Sequence, residues 1–319
     1  RMTKYIEIKG HSIQATDTDP VLYAGAWSSG NNLNTGRGQG FGSGSQTAAI
    51  VAGGNTGGSP AYTAVAEQYD GSSWSEVSDL GTARSGSGGS SGLAPYTATI
   101  VFGGEVSGSN TAVNEYYDGS SWTELSALNT ARSYFGGAGS AYTAAIGFGG
   151  NSYPGPMYAN TESWDGSSWT ETAEINSARG GLAGTGTQTA ALAAGGPGSS
   201  ALAESWNGSS WTETTEINTS RTYIVGNGTQ TSMLIYGGHT TAKVAVTESW
   251  DGTAWTEVSD LSTARSSTGR AGASNLSALA GGGDLTGSRS AATEEWSFPT
   301  APGAQVGQIW FNTDSATLK

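Results

Sequence analysis

The sequence predicts an all-β fold, a six-bladed β-propeller of four-stranded antiparallel blades in which an N-terminal strand closes the ring. Three periodic signals predict it. A Trp stands ten residues ahead of an Arg six times, in the pairs Trp27 and Arg37, Trp74 and Arg84, Trp122 and Arg132, Trp169 and Arg179, Trp211 and Arg221, Trp255 and Arg265. An apolar residue follows each Trp by six, at Leu33, Leu80, Leu128, Ile175, Ile217 and Leu261. Gly pairs recur at Gly53-Gly54, Gly103-Gly104, Gly149-Gly150, Gly195-Gly196, Gly237-Gly238 and Gly281-Gly282, and turn dipeptides at Asp70-Gly71, Asp118-Gly119, Asp165-Gly166, Asn207-Gly208 and Asp251-Gly252. A period of 42 to 48 residues suits propeller blades or helical arrays, and the residues between the landmarks decide for blades.

The third repeat shows why. Arg132 opens a small-residue run, residues 133–140, that leads into Ala141-Tyr142-Thr143-Ala144-Ala145-Ile146-Gly147-Phe148 and the Gly pair, which reads as two short strands, A and B, joined by a turn. After a variable stretch, residues 151–160, come Glu162-Ser163-Trp164, then Asp165-Gly166, then Trp169-Thr170-Glu171. Asp-Gly between aromatic-bearing runs is a strong hairpin signal and gives strands C and D. The sixth repeat reaches Trp296-Ser297-Phe298 and then Pro299 without a strand D, while Trp27, Leu33 and Arg37 form a strand D pattern with no A to C before it. The N-terminal strand is therefore expected to complete the last blade, leaving no long exposed edge.

Antiparallel order places the D-to-A and B-to-C connections on one face of the disc, called here the first, and the A-to-B turns and Asp-Gly hairpins on the second. Every length-variable loop falls on the first face, and loops of varied length on a rigid scaffold are where binding usually sits. Candidate binding residues there are Tyr62, Tyr153, Met157, Tyr158 and His239, since aromatic rings among Asn and Ser suit carbohydrate or protein contact. Arg37, Arg84, Arg132, Arg179, Arg221 and Arg265 have two readings. They form a cationic ring for a carboxylated or sulfated glycan, or they pair within the scaffold with the equally periodic Glu67, Glu115, Glu162, Glu204, Glu248 and Glu294. The recurring Trp residues read as inter-blade packing.

Composition narrows the function classes. The net charge of −13 argues against a nucleic-acid partner or an anionic membrane held by general electrostatics. No apolar run approaches the length of a bilayer span, so no membrane insertion is expected. Lys4 and Lys9 precede no apolar stretch of the secretory kind, so no secretory signal is expected in the sequence. There is no Cys, which removes thiolate metal sites and cysteine nucleophiles, and His11 and His239 share no ligand spacing. No metal or cofactor is expected. Most acidic residues are periodic rather than a unique pair across a scissile bond, so the chain is not read as an enzyme.

The ordered double Gly, aromatic before an acidic turn and spaced Trp resemble the kelch family of β-propellers over about residues 24–298, although the inner strands here are richer in Gly and Ser than that family's. Two terminal stretches carry a second resemblance. Gly307-Gln308-Ile309-Trp310-Phe311-Asn312-Thr313, with Leu318-Lys319, is similar to a segment common in bacteriophage tail and fibre proteins, and Lys4-Tyr5-Ile6-Glu7-Ile8-Lys9-Gly10 resembles the opening of marine phage structural proteins. Together these imply an attachment segment at 1–23, a propeller at 24–298 and a second attachment segment at 299–319. The termini either pack together as one small element or remain extended until a partner orders them. The implied role is a virion structural or adhesion protein on a tail, fibre or capsid. It would contact other virion proteins through its ends and a host surface glycan or protein through its loops. The alternatives are a secreted or surface-displayed bacterial adhesin and, more remotely, a glycan-active enzyme. A homo-oligomer is left open.

Overall fold

The structure is a computed structural model that describes residues 25–297, apart from 60, 91–92, 153–154 and 198–199, together with the backbone of a few short strands at either end. Two units divide the chain, residues 1–26 with 298–319, and residues 27–297. Six four-stranded antiparallel blades form a propeller. Blade one runs from the axis outward as Phe41–Ser45, Ala48–Ala52, Ala66–Tyr69 and Trp74–Val77, which are strands A to D. In blade six the order is Gly269–Ser274, Ser277–Gly281, Thr293–Ser297 and then Ala26–Gly30, so the N-terminal strand supplies the missing strand D and closes the ring. Blade two departs most, with strand A reduced to Gly88–Gly89 and a single 3-10 turn at Tyr96–Ala98 before strand B.

Residue chemistry follows distance from the axis. Strand B is covered on both sides by neighbouring blades, and its continuous apolar runs, such as Ile100, Val101 and Phe102 or Ala191–Ala194, are wholly buried. Strand D keeps its Trp inward and turns its next two residues to solvent. Strand A must be small because the inner strands converge. A β-carbon at Gly42 would lie 2.3 Å from the Arg270 backbone nitrogen, and one at Gly137 would lie 2.6 Å from that of Gly89. The Gly-rich inner strands are thus a packing requirement.

The apolar cores lie between blades. One joins Leu192 and Ile217 to Met233, Ile235 and Trp255, and another joins Ile100 and Phe102 to Leu128, Phe135 and Trp169. Each strand D Trp faces the aromatic residue on strand C of its own blade, from Tyr69 and Trp74 at 4.9 Å to Trp296 and Trp27 at 5.5 Å. Several also reach the preceding blade: Trp74 Nε1 donates to Thr293 Oγ1, Trp211 Nε1 to Thr161 Oγ1 and Trp27 Nε1 to Thr247 Oγ1. These Trp residues are the seams of the ring.

Two details of the sequence reading change. The sixth Gly pair is Gly282-Gly283, because Gly281 belongs to strand B. In every blade the second Gly N–H donates to the carbonyl of the Arg that opens the next blade, from Gly54 to Arg84 at 2.7 Å round to Gly283 and Arg37 at 2.8 Å. Only the pair at 282 and 283, with φ of 70° and 117°, meets that geometry. The Asp-Gly hairpins, in turn, are four-residue loops: Tyr69 pairs with Trp74, and Asp70 Oδ1 accepts from the backbone of Ser72 and Ser73 and from the Ser72 hydroxyl. The carboxylate replaces a tight turn as the element that fixes the loop.

In the terminal unit, Gln14–Thr16 pairs in parallel with Trp310–Asn312, which pairs antiparallel with Thr317–Leu318. The two ends of the chain share one small sheet.

Candidate functional site

The six periodic Arg side chains are scaffold. Each is ion-paired with the Glu on strand C of its own blade, with side-chain exposures of 0–3% for Arg and 0–4% for Glu, at 2.8 Å for Arg37 and Glu67, Arg132 and Glu162, Arg265 and Glu294. Burial lowers each guanidinium pKa, and the paired Glu opposes that shift. The carboxylate also holds the incoming chain, as where Glu162 accepts from Asn129 N at 2.7 Å and Thr130 N at 3.2 Å. Of the two sequence readings, pairing with Glu is the one found. The cationic-ring reading is corrected, because buried guanidinium groups offer a glycan no surface.

Two residues beyond each Arg, the chain turns left-handed in every blade, at Gln39, Gly86, Tyr134, Gly181, Tyr223 and Ser267. These residues form a closed circle of backbone hydrogen bonds, each N–H donating to the carbonyl in the blade before, from Gly86 to Gln39 at 2.9 Å round to Gln39 and Ser267 at 2.7 Å. The circle rims an axial mouth on the first face. Its backbone repeats six times and its side chains do not. A positive φ at a residue as bulky as Tyr134 (53°) or Tyr223 (52°) costs about 1–3 kcal/mol, a strain typical of functional positions.

Those two rings meet edge-on at 5.4 Å. Tyr134 Oη donates to Gln39 Oε1 at 2.9 Å, and Gln39 Nε2 donates to Asp284 Oδ2 at 2.9 Å. Glu105, from the B-to-C connection of blade two, accepts from the Tyr62 hydroxyl and has its other oxygen 3.5 Å from the Tyr134 hydroxyl, and Asp284 pairs with Arg289 at 3.2 Å. Burial first, then Glu105, pushes the Tyr134 hydroxyl well above its ordinary pKa, keeping it a neutral donor.

Below the rim lies a second six-fold position, five residues after each Arg: Gly42, Gly89, Gly137, Gly184 and Gly226, then Arg270. Arg270 points its guanidinium across the axis and donates to the carbonyls of Gly137 at 2.9 Å, Gly226 at 2.8 Å and Gly184. It lines a cavity of about 100 Å³ that also touches Tyr134, Tyr223 and Gln39. Sequence reading missed Arg270, yet the signal was present: five Gly and one Arg at a fixed offset.

The loop candidates separate. Met157 is 41% exposed and edges a second hollow of about 280 Å³ between the loops of blades three and four, with Pro197, Ser200 and Leu202. Tyr158 and His239 are half-buried, and their backbones serve the scaffold: Tyr158 N donates to Gly150 O, and His239 exchanges bonds with Thr222. Tyr62 is half-buried against blade two, and Tyr153 lies outside the described residues.

The second face is more regular, as its short turns suggested. Gln188, Gln230 and Asn275 each donate to the end of strand C in the blade before, at Trp164 O, Trp206 O and Trp250 O, and to its Ser. In blade three a Tyr replaces the amide and in blade two a Tyr replaces the Ser, so Tyr142 stacks on Tyr116 at 4.2 Å instead and is 39% exposed. This pair too was missed. No protein-family model matches the chain, and no curated protein does.

Proposed function

We propose that this chain is a non-enzymatic recognition protein of a bacteriophage virion, a kelch-like propeller on a tail, fibre or capsid whose first face binds a host surface glycan or protein. One observation carries the reading: most of the side chains that break the six-fold pattern, the Tyr116 and Tyr142 stack apart, gather on that face. Gln39, Glu105, Tyr134, Tyr223, Arg270 and Asp284 surround or line the mouth, and Met157 lies on the loops outside it. Specific recognition needs such asymmetry, because a symmetric ring presents one surface six times.

The acidic residues support a binding role over catalysis. The six periodic Glu are consumed by ion pairs and crossover loops, and Asp70, Asp118, Asp165 and Asp251 by turns. The virion context rests on the resemblance of the terminal sequences to phage tail and fibre segments, and the shared sheet of the two ends suits a single attachment element. A mass-spectrometric inventory of purified particles tests the context. Finding the chain there supports it, and finding it only at a bacterial surface favours the adhesin reading. Met157→Ala with Tyr158→Ala is expected to weaken host-cell binding several-fold without unfolding the ring, and unchanged binding would count against the loops.

A further inference from the structure

We propose that the axial mouth is an anion site in which Arg270 receives the carboxylate of a sugar acid, with the sugar ring seated outside against the rim. This rests on the glycan reading of the first face and narrows it to one class of ligand.

The contrast between Arg270 and the other propeller arginines carries the inference. Each of the six periodic arginines is matched by a buried carboxylate. Among the described residues no carboxylate is ion-paired with Arg270, whose three hydrogen bonds go to backbone carbonyls. A guanidinium has five N–H donors in a planar fork, so two remain, in a geometry that carboxylates match. Burial lowers its pKa to about 10, which leaves it cationic at neutral pH. An enclosed cation without a counter-charge strongly favours an anion that can reach it.

Size and surroundings select the anion. A cavity of about 100 Å³ has room for a carboxylate group at Arg270, with the sugar ring toward the mouth. There the Tyr134 and Tyr223 rings offer an apolar edge, and Gln39 and Ser267 offer polar groups. Glu105 and Asp284 stand beyond them, engaged by Tyr62 and by Gln39 and Arg289, and their negative charge disfavours a ligand that is anionic throughout. A single carboxylate on a neutral, hydroxylated body meets both demands.

Isothermal titration of the full chain with glucuronate, glucose and acetate tests this. Glucuronate is expected to bind, acetate to compete with it, and glucose to bind at least about tenfold more weakly, the scale of a lost charge-assisted hydrogen bond. Arg270→Gly completes the ring of glycines and is expected to keep the native circular dichroism while losing about tenfold or more in glucuronate affinity; Arg270→Gln serves if the glycine variant does not fold. Glucuronate binding that survives both substitutions, equals that of glucose, or is absent from the native chain overturns the site. Host-cell binding that persists when glucuronate does not bind overturns the anion site alone and leaves the wider reading of the face standing.

Discussion

At Glu162 one buried carboxylate answers three donors, the Arg132 guanidinium and the backbone N–H groups of Asn129 and Thr130. The ion pair and at least one backbone donor recur in all six blades, and the second backbone donor in four, which makes the Arg and Glu columns of the sequence a single device: they fix where the chain leaves one blade and begins the next. Breaking a buried pair strands a charge, so Glu162→Gln is expected to destabilise the fold by about 3–5 kcal/mol in urea denaturation. A loss below 1 kcal/mol would show that the pair is dispensable. Periodicity made these residues visible in the sequence but left their role open between binding and bracing. Only burial decides that, and burial depends on neighbours hundreds of atoms away. Arg270 reverses the lesson, since it is the exception in a column of Gly and stands out only against the other five residues at its level.

Among the elements, the strand C to strand D loops show how little sequence is needed to fix a hairpin. Asp70, Asp118 and Asp165 have pKa values held down to about 2, and Asp251 is lowered, in each case by hydrogen bonds from residues two and three further on. A depressed folded-state pKa contributes stability that is present above the ordinary value near 3.9 and disappears as pH falls through the folded value. Thermal melts are therefore expected to show a fall in Tm between about pH 4 and pH 2. Blade four supplies the control, because Asn207 accepts the same bonds from Ser209 and Ser210 without a charge. Replacing all four Asp by Asn should flatten that part of the profile, and an unaltered profile would remove the turns as its cause. The hairpins were legible from Asp-Gly alone, whereas their four-residue length was not, because a dipeptide does not reveal whether backbone or side chain closes the turn. The irregular strand A of blade two was likewise illegible, since its Gly and Ser residues carry no periodic signal.

Over the whole molecule, the ring is closed by backbone pairing of Ala26–Gly30 with the last blade and by two circles of inter-blade hydrogen bonds, at the Gly pairs and at the rim. Removing residues 1–25 spares the closing strand and should preserve a cooperative transition; removing residues 1–30 should abolish it. The scaffold was readable because each blade repeats the same solution, and the proposed recognition surface was not, because it consists of departures from that solution. Two sets of departures compete as binding surfaces, the mouth and loops of the first face and the Tyr116 and Tyr142 stack of the second. Binding of purified protein to a glycan array, compared between a Tyr134→Ala, Met157→Ala chain and a Tyr142→Ala chain of equal Tm, separates them most directly. The first variant is expected to lose binding and the second to retain it, and the opposite result would place recognition on the other face.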